Sequence, residues 1–241
     1  MPRRKDCFPS GENIGRQRAV WHGSRVSSAA VRPPAPRHLA NPSVFSSICV
    51  RDGRQVRVTK RDYKCWFDQL LLPEPLRLFM GRPPVRKSEL LVAGVTESEL
   101  ALLLCSSVDA MNEDELLWPL SQTWPMGFSW SSFVAQESAL GIARDAGLTS
   151  DPVLAPDCDS VPDMPLAFAL ATDDVMIFSD EEPGTTLAHA QKLESSMLLH
   201  GAVKHGEKDV FTLSWLCWSY RRFDIIRAWG SYRSLVGGAG A

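Results

Sequence analysis

Met164-Pro-Leu-Ala-Phe-Ala-Leu-Ala-Thr-Asp-Asp-Val-Met-Ile-Phe-Ser179 carries two apolar runs around one acidic pair. Pro165 to Ala171 and Val175 to Phe178 read as short buried strands, because both are apolar and bounded by turn residues. Thr172-Asp173-Asp174 then falls where a hairpin turns. Two adjacent carboxylates inside an apolar strand pair would be very costly to bury. At the exposed tip that cost is removed, and both acids point to one place. Such a pair suits a divalent cation, since Mg²⁺ takes hard oxygen ligands and shares them with substrate phosphates. The competing reading of the Asp-Asp alone is an ordinary polar turn.

The charge distribution adds a second signal. The 241 residues carry a net charge of -2, yet residues 1–64 hold 14 Lys/Arg and 4 Asp/Glu. That segment is therefore at +10 and the remainder at -12. A basic N-terminal stretch ahead of an acidic body fits a polyanionic partner, because Lys and Arg displace the counterions condensed on phosphates. The alternative is a solvated basic tail. A hydrophobic content of 44% is enough for one sizeable core. Cys7, Cys49, Cys65, Cys105, Cys158 and Cys217 are scattered without a Cys-x-x-Cys pair, so neither a zinc site nor a disulfide framework is indicated. A reducing, intracellular compartment (nuclear or cytoplasmic) is expected. Met1-Pro-Arg-Arg-Lys-Asp6 has no apolar run behind it and does not read as a secretory signal. No apolar run approaches transmembrane length.

Residues 1–43 are rich in Arg, Pro, Ser and Gly, with Val31-Arg-Pro-Pro-Ala-Pro-Arg37 as an extended linker, and are expected to form a disordered basic arm. Order is expected to begin near Val44. Gln55-Val-Arg-Val-Thr59 alternates with period two and predicts a strand after an Asp52-Gly53 turn. This strand runs into Asp62. Ser88 to Leu120 reads as short helices, with a capping box at Thr96-Glu-Ser-Glu99 and Gly94 as a stop signal. Further helices are predicted over Ser131 to Ala146 and from Thr185 or Thr186 to His200, with Gly147 and Gly201 just past their ends. Val210 to Trp218 has strand composition, and residues 219–241 are left unassigned.

This order of elements resembles the palm of a reverse transcriptase, of the divergent kind found in eukaryotic retroelements, over roughly residues 55–212. Asp62-Tyr-Lys-Cys-Trp-Phe-Asp-Gln69 resembles the family's first motif. The resemblance makes Asp62 a metal ligand and Phe67 the steric gate against a ribose 2′-hydroxyl, with Gln69 at the nucleotide. Trp124-Pro-Met-Gly-Phe-Ser-Trp-Ser131 with Ala135-Gln136 is similar to the second, which implies that Pro125, Met126 and Gly127 line the nucleotide site. Thr172-Asp173-Asp174 resembles the third. Gly201 with Lys208 resembles the fourth, whose lysine can protonate departing pyrophosphate. The implied activity is template-directed DNA synthesis, an RNA-directed DNA polymerase reaction with deoxynucleoside triphosphates and a nucleic-acid template-primer. Two Mg²⁺ (or Mn²⁺) ions about 3.5–4 Å apart serve this chemistry and need carboxylates from separate elements, as Asp62, Asp173 and Asp174 would be. Catalysis is then mainly positioning and charge neutralisation.

The expected fold class is α+β: a palm-like antiparallel sheet over residues 44–218 with helices on one face, and fingers and thumb reduced or missing. Residues 84–119 form a helical insertion longer than the family's norm. The family's triphosphate-holding fingers residues have no clear counterpart, and Arg51, Arg54 and Arg57 are the nucleic-acid-binding candidates. Ala171 stands where reverse transcriptases usually carry an aromatic. A retroelement-derived fragment is implied. The alternatives are a catalytically inactive palm that binds nucleic acid or a protein partner, and an unrelated α/β binding protein with a chance acidic hairpin.

Overall fold

A computed structural model of the chain describes residues 21–48, 54–104, 114–148, 153–158, 165–182, 184–206 and 210–215. In chain order the elements are α1 (Ser24–Ala29), a 3-10 turn (Pro42–Ser47), β1 (Val56–Asp62), α2 (Trp66–Gln69), α3 (Glu74–Arg77), β2 (Val85–Arg86), α4 (Lys87–Val92), α5 (Glu97–Leu103), β3 (Leu116–Leu117), α6 (Ser131–Asp145), β4 (Leu166–Ala171), β5 (Asp174–Ser179), α7 (Thr185–Leu199) and β6 (Val210–Trp215). The chain divides into two compact units, residues 1–70 with 126–241, and residues 71–125.

The first unit is built on an antiparallel sheet in the order β4-β5-β1-β6. Side chains alternate across a strand, so each face has its own set. One face presents Leu166, Phe168, Leu170, Val175 and Ile177 to α6 and α7, all in one buried cluster. Helix α6 lies close to the sheet because its contact stripe, Ala135, Ala139 and Ala143 at four-residue spacing, has no bulk, and each is 0% exposed. Helix α7 contributes Ala190, Leu193 and Met197. Burying each large apolar side chain here is worth about 1.5–3 kcal/mol. The helices also bond across: Ser196 Oγ donates to the Ile142 carbonyl at 2.8 Å. Helix α7 starts at Thr185 behind Gly184, whose φ is +107°. The capping expected of Thr185 or Thr186 is not used, because the Thr186 hydroxyl instead accepts from Thr59 Oγ1 on β1 at 2.8 Å. Gly147 and Gly201, at φ +78° and +67°, follow the two helices as expected.

The opposite face carries Val56, Ala167, Ala169 and Phe178, covered by Ala40, Val44, Phe45 and Leu154. Residues 21–43, expected to belong to a disordered arm, are instead built into this unit. Ala40 N–H donates to the Leu170 carbonyl at 2.8 Å, and Leu39 forms a parallel bridge with Leu170. Arg37 forks onto Glu137 of α6, Trp130 Nε1 donates to the Val31 carbonyl at 2.7 Å, and Trp21 packs edge-on against Phe128. Scattered aromatics and a few small apolar residues suffice, because the sheet face supplies the rest of the core. Residues 1–20, the Asp52-Gly53 turn and the tail 219–241 lie outside the described residues.

The second unit contains the stretch expected as a helical insertion. Residues 71–82 run antiparallel to 119–123 through bonds such as Leu72 N–H to the Gln122 carbonyl at 2.9 Å. The β2–β3 pair and two short helices follow this frame. The capping box forms as its spacing predicts: Thr96 Oγ1 accepts from Glu99 N–H at 3.2 Å, and Glu99 Oε2 accepts from Thr96 N–H at 2.8 Å. That backbone bond holds the Glu99 carboxyl below its ordinary range. Gly94, at φ +95°, follows α4. Among the described residues, no helix is long and apolar enough to cross a membrane.

Candidate active site

Asp62, Asp173 and Asp174 lie at one end of the sheet. β1 and β5 pair so that Asp62 stands opposite Asp174. Directly opposed residues on antiparallel strands share a face. Val56 and Phe178 fix which face this is, being in register with Asp62 and Asp174 by even steps. The acids therefore lie on the side of the sheet away from α6 and α7. Asp173 occupies the two-residue turn between β4 and β5, and its carbonyl accepts from Tyr63 N–H at 2.9 Å. The turn is thus stitched to the end of the strand that bears Asp62. On the other side of that strand end, His205 N–H donates to the Asp62 carbonyl at 2.8 Å.

The turn is unusual. Thr172 has φ +60°, the left-handed region that a β-branched residue rarely adopts. Gln136 of α6, fully buried, holds it there. Its Oε1 accepts from Thr172 N–H at 2.8 Å, while its Nε2 donates to the carbonyls of Arg37 at 3.2 Å and His38 at 3.1 Å. Replacing Gln136 with Leu removes every one of these bonds and leaves the Thr172 amide without its acceptor, at a cost of about 1–3 kcal/mol. The Thr172 amide should then exchange with solvent faster than the amides of β5. Equal protection in both proteins would show that Gln136 does not hold the tip.

Lys60, two residues before Asp62 on the same face, reaches Asp174 with Nζ–Oδ1 at 2.7 Å. The period-two spacing of β1 carried this signal, but the partner depends on the register with a strand more than a hundred residues away. Arg61, next to Asp62 in sequence, points to the helix face. It is 1% exposed and donates from Nε to Glu194 Oε1 at 2.5 Å and from Nη1 to the Lys60 carbonyl at 2.8 Å.

The Asp174 carboxyl is pushed up to about 6. Burial is the main cause, the Lys60 ammonium opposes it, and Asp173 and Asp62 add to it. Its ordinary value is 3.8. Between these values the folded chain holds more protons than the unfolded one. This group's contribution to stability is therefore greatest below about 4 and is lost as pH rises through about 6. Asp174→Asn should flatten that part of the stability–pH curve, read as urea midpoints across the window. An unaltered slope would show that Asp174 is not the titrating group.

The other expected residues are dispersed. Phe67, on α2, packs its ring against the helix-side core. Gln69 has its amide engaged with backbone: Oε1 accepts from Val203 N–H at 2.7 Å, and Nε2 donates to the carbonyls of Val203 at 3.1 Å and Lys64. Met126 is 38% exposed and Gly127 has φ +107°. Pro125 closes the second unit. Arg57 donates to the Glu181 carbonyl, and Arg54 is exposed. Arg51 and Lys208 lie outside the described residues. A cleft of about 350 Å³ lined by Trp66, Gln69, Ile142 and His200 contains none of the three carboxylates.

No protein-family model matches the chain, and a search of curated proteins returns no match. Asp62, Asp173 and Asp174 come from two elements, and Asp174 is held protonated toward neutral pH chiefly by burial, with its acidic neighbours adding to it. Carboxylates are hard oxygen donors of the type a divalent cation takes.

Proposed function

We propose that the chain is a reverse-transcriptase-like palm whose Asp62, Asp173 and Asp174 serve nucleotidyl transfer onto a nucleic-acid primer. The observation that carries this reading is the register of Asp62 against Asp174, with Asp173 in the adjoining turn. Asp62 comes from one strand and the pair from a hairpin, so ligands held by both would be fixed by two elements rather than one loop. Bound Mg²⁺ or Mn²⁺ would supply Lewis-acid activation of the primer hydroxyl and neutralise charge on the phosphates. The chain's own part is to hold the three carboxylates rigid. β1 and β5 do so through their ladder, and Gln136 does so at the tip. Lys60 keeps Asp174 oriented while no cation is bound. Deoxynucleoside triphosphates and a template-primer are the proposed substrates, and the packing of Phe67 into the helix-side core gives no support to its expected role as the sugar gate.

A second reading, an inactive palm-type protein that binds nucleic acid or a protein partner, is favoured by the Lys60–Asp174 ion pair, which already balances one of the acids. Primer extension by the purified chain on RNA and DNA templates, with Mg²⁺ or Mn²⁺, separates them. Addition of deoxynucleotides is expected under the first reading. Template-primer binding without any addition supports the second and overturns the first.

A further inference from the structure

His38 lies 119 residues before the adjacent pair Asp157 and Cys158, and together they place an imidazole, a carboxylate and a thiol on the outer edge of β4. One atom from each lies within 4.8 Å of the other two. We propose that these three residues bind a zinc-class ion that clasps residues 37–40 to residues 153–158. The proposal is independent of the polymerase reading.

Two candidate partners crowd His38 Nδ1. Asp157 Oδ2 is 3.4 Å from it and Cys158 Sγ is 3.5 Å from it. A single ring nitrogen offers either one hydrogen or one lone pair, never both. If it is protonated, carboxylate and sulfur compete for one hydrogen. If it is not, the carboxylate faces a lone pair. A cation accepts from all three donors at once. The spacing fits as well. Zinc bonds of about 2.0–2.1 Å to nitrogen or oxygen and about 2.3 Å to sulfur, at tetrahedral angles, put neighbouring ligand atoms roughly 3.3–3.6 Å apart. Mixed nitrogen, oxygen and sulfur donors suit zinc, whereas Mg²⁺ takes oxygen. Solvent completes the fourth position, since Asp157 is exposed.

The backbone prepares this arrangement. His38 has φ +49°, in the left-handed region. Its N–H donates to Asp157 Oδ2 at 2.8 Å, and its carbonyl accepts from Gln136 Nε2 at 3.1 Å. The two ligand-bearing segments are seated on β4 by separate parallel bridges, Leu39 with Leu170 and Val153 with Phe168. An ion at His38 would therefore also steady the Gln136 clamp that holds Thr172, linking this edge to the acidic tip. Binding deprotonates the Cys158 thiol and releases that proton to solvent, with no change of oxidation state.

The test titrates the metal-free full chain with Co²⁺ and then Zn²⁺. The expected result is a thiolate-to-cobalt charge-transfer band that saturates at one equivalent, vanishes on zinc addition, and is accompanied by a rise in Tm with zinc. Cys158→Ser should abolish the band, His38→Ala should weaken binding by about tenfold or more, and Cys65→Ser should keep the wild-type band. A band unchanged in Cys158→Ser, or no band in the wild type, overturns the proposal. Alkylation mapping of the unaltered chain covers the case in which a variant fails to fold. Zinc should protect Cys158 and leave the exposed Cys65 reactive, and equal alkylation of Cys158 with and without zinc contradicts the site.

Discussion

Asp173→Asn is expected to reduce primer extension by more than about a thousandfold while leaving the chain folded. Lewis-acid stabilisation at a phosphoryl centre is worth several kcal/mol, and each 1.36 kcal/mol is a factor of ten in rate. Asp173 lies in the turn, and its backbone, not its side chain, makes the bond to Tyr63 N–H. An amide in place of the carboxylate preserves that bond and the turn. It also removes one of the charges that raise Asp174, so the thermal midpoint at neutral pH should stay level or rise. The pairing of lost activity with unreduced stability separates a ligand from a structural residue. A variant that extends primers within tenfold of wild type would remove Asp173 from the proposed chemistry.

The second large effect is on stability. Arg61 is buried against α7, with its guanidinium on Glu194 and on the Lys60 carbonyl. Removing one partner of a buried ion pair costs about 3–5 kcal/mol. Glu194 is 28% exposed on its side chain and also meets Lys204 at 3.1 Å, so it would not be stranded. The loss should therefore sit at the lower end, about 3 kcal/mol, and come from the vacated volume and the lost bond to the Lys60 carbonyl. Urea denaturation of Arg61→Ala measures this directly. A loss under about 0.5 kcal/mol would mean that α7 is held on β1 by apolar packing alone.

The local elements were legible where the chain repeats at short range. The apolar runs around Asp173-Asp174, the period-two pattern into Asp62 and the stretch Ser131 to Ala146 with Gly147 just past its end each predict their own element. The mixed α+β character and the antiparallel hairpin follow from them. What the sequence hid is what depends on register between distant strands. The pairing of Lys60 with Asp174 exists only once β1 is laid against β5. Arg61 reads as a neighbour of Asp62 until the alternation sends it to the other face. The basic arm misleads for a related reason. Its composition matches disorder, yet Ala40 needs only half a core, and β4 with β5 supplies the other half. His38, Asp157 and Cys158 show no ligand spacing in sequence, because two separate bridges to β4 bring them together.

Counting bound Mn²⁺ by its free-ion paramagnetic resonance signal asks for the ion itself and not for a complete polymerase. At a pH above about 7, where Asp174 is ionised and oxygen ligands are preferred by Mn²⁺, the wild-type chain should remove Mn²⁺ from solution. Asp62→Asn and Asp173→Asn should each weaken that binding by about tenfold or more, with their far-ultraviolet circular dichroism unchanged. Equal Mn²⁺ binding by wild type and both variants would contradict a shared ion at Asp62, Asp173 and Asp174.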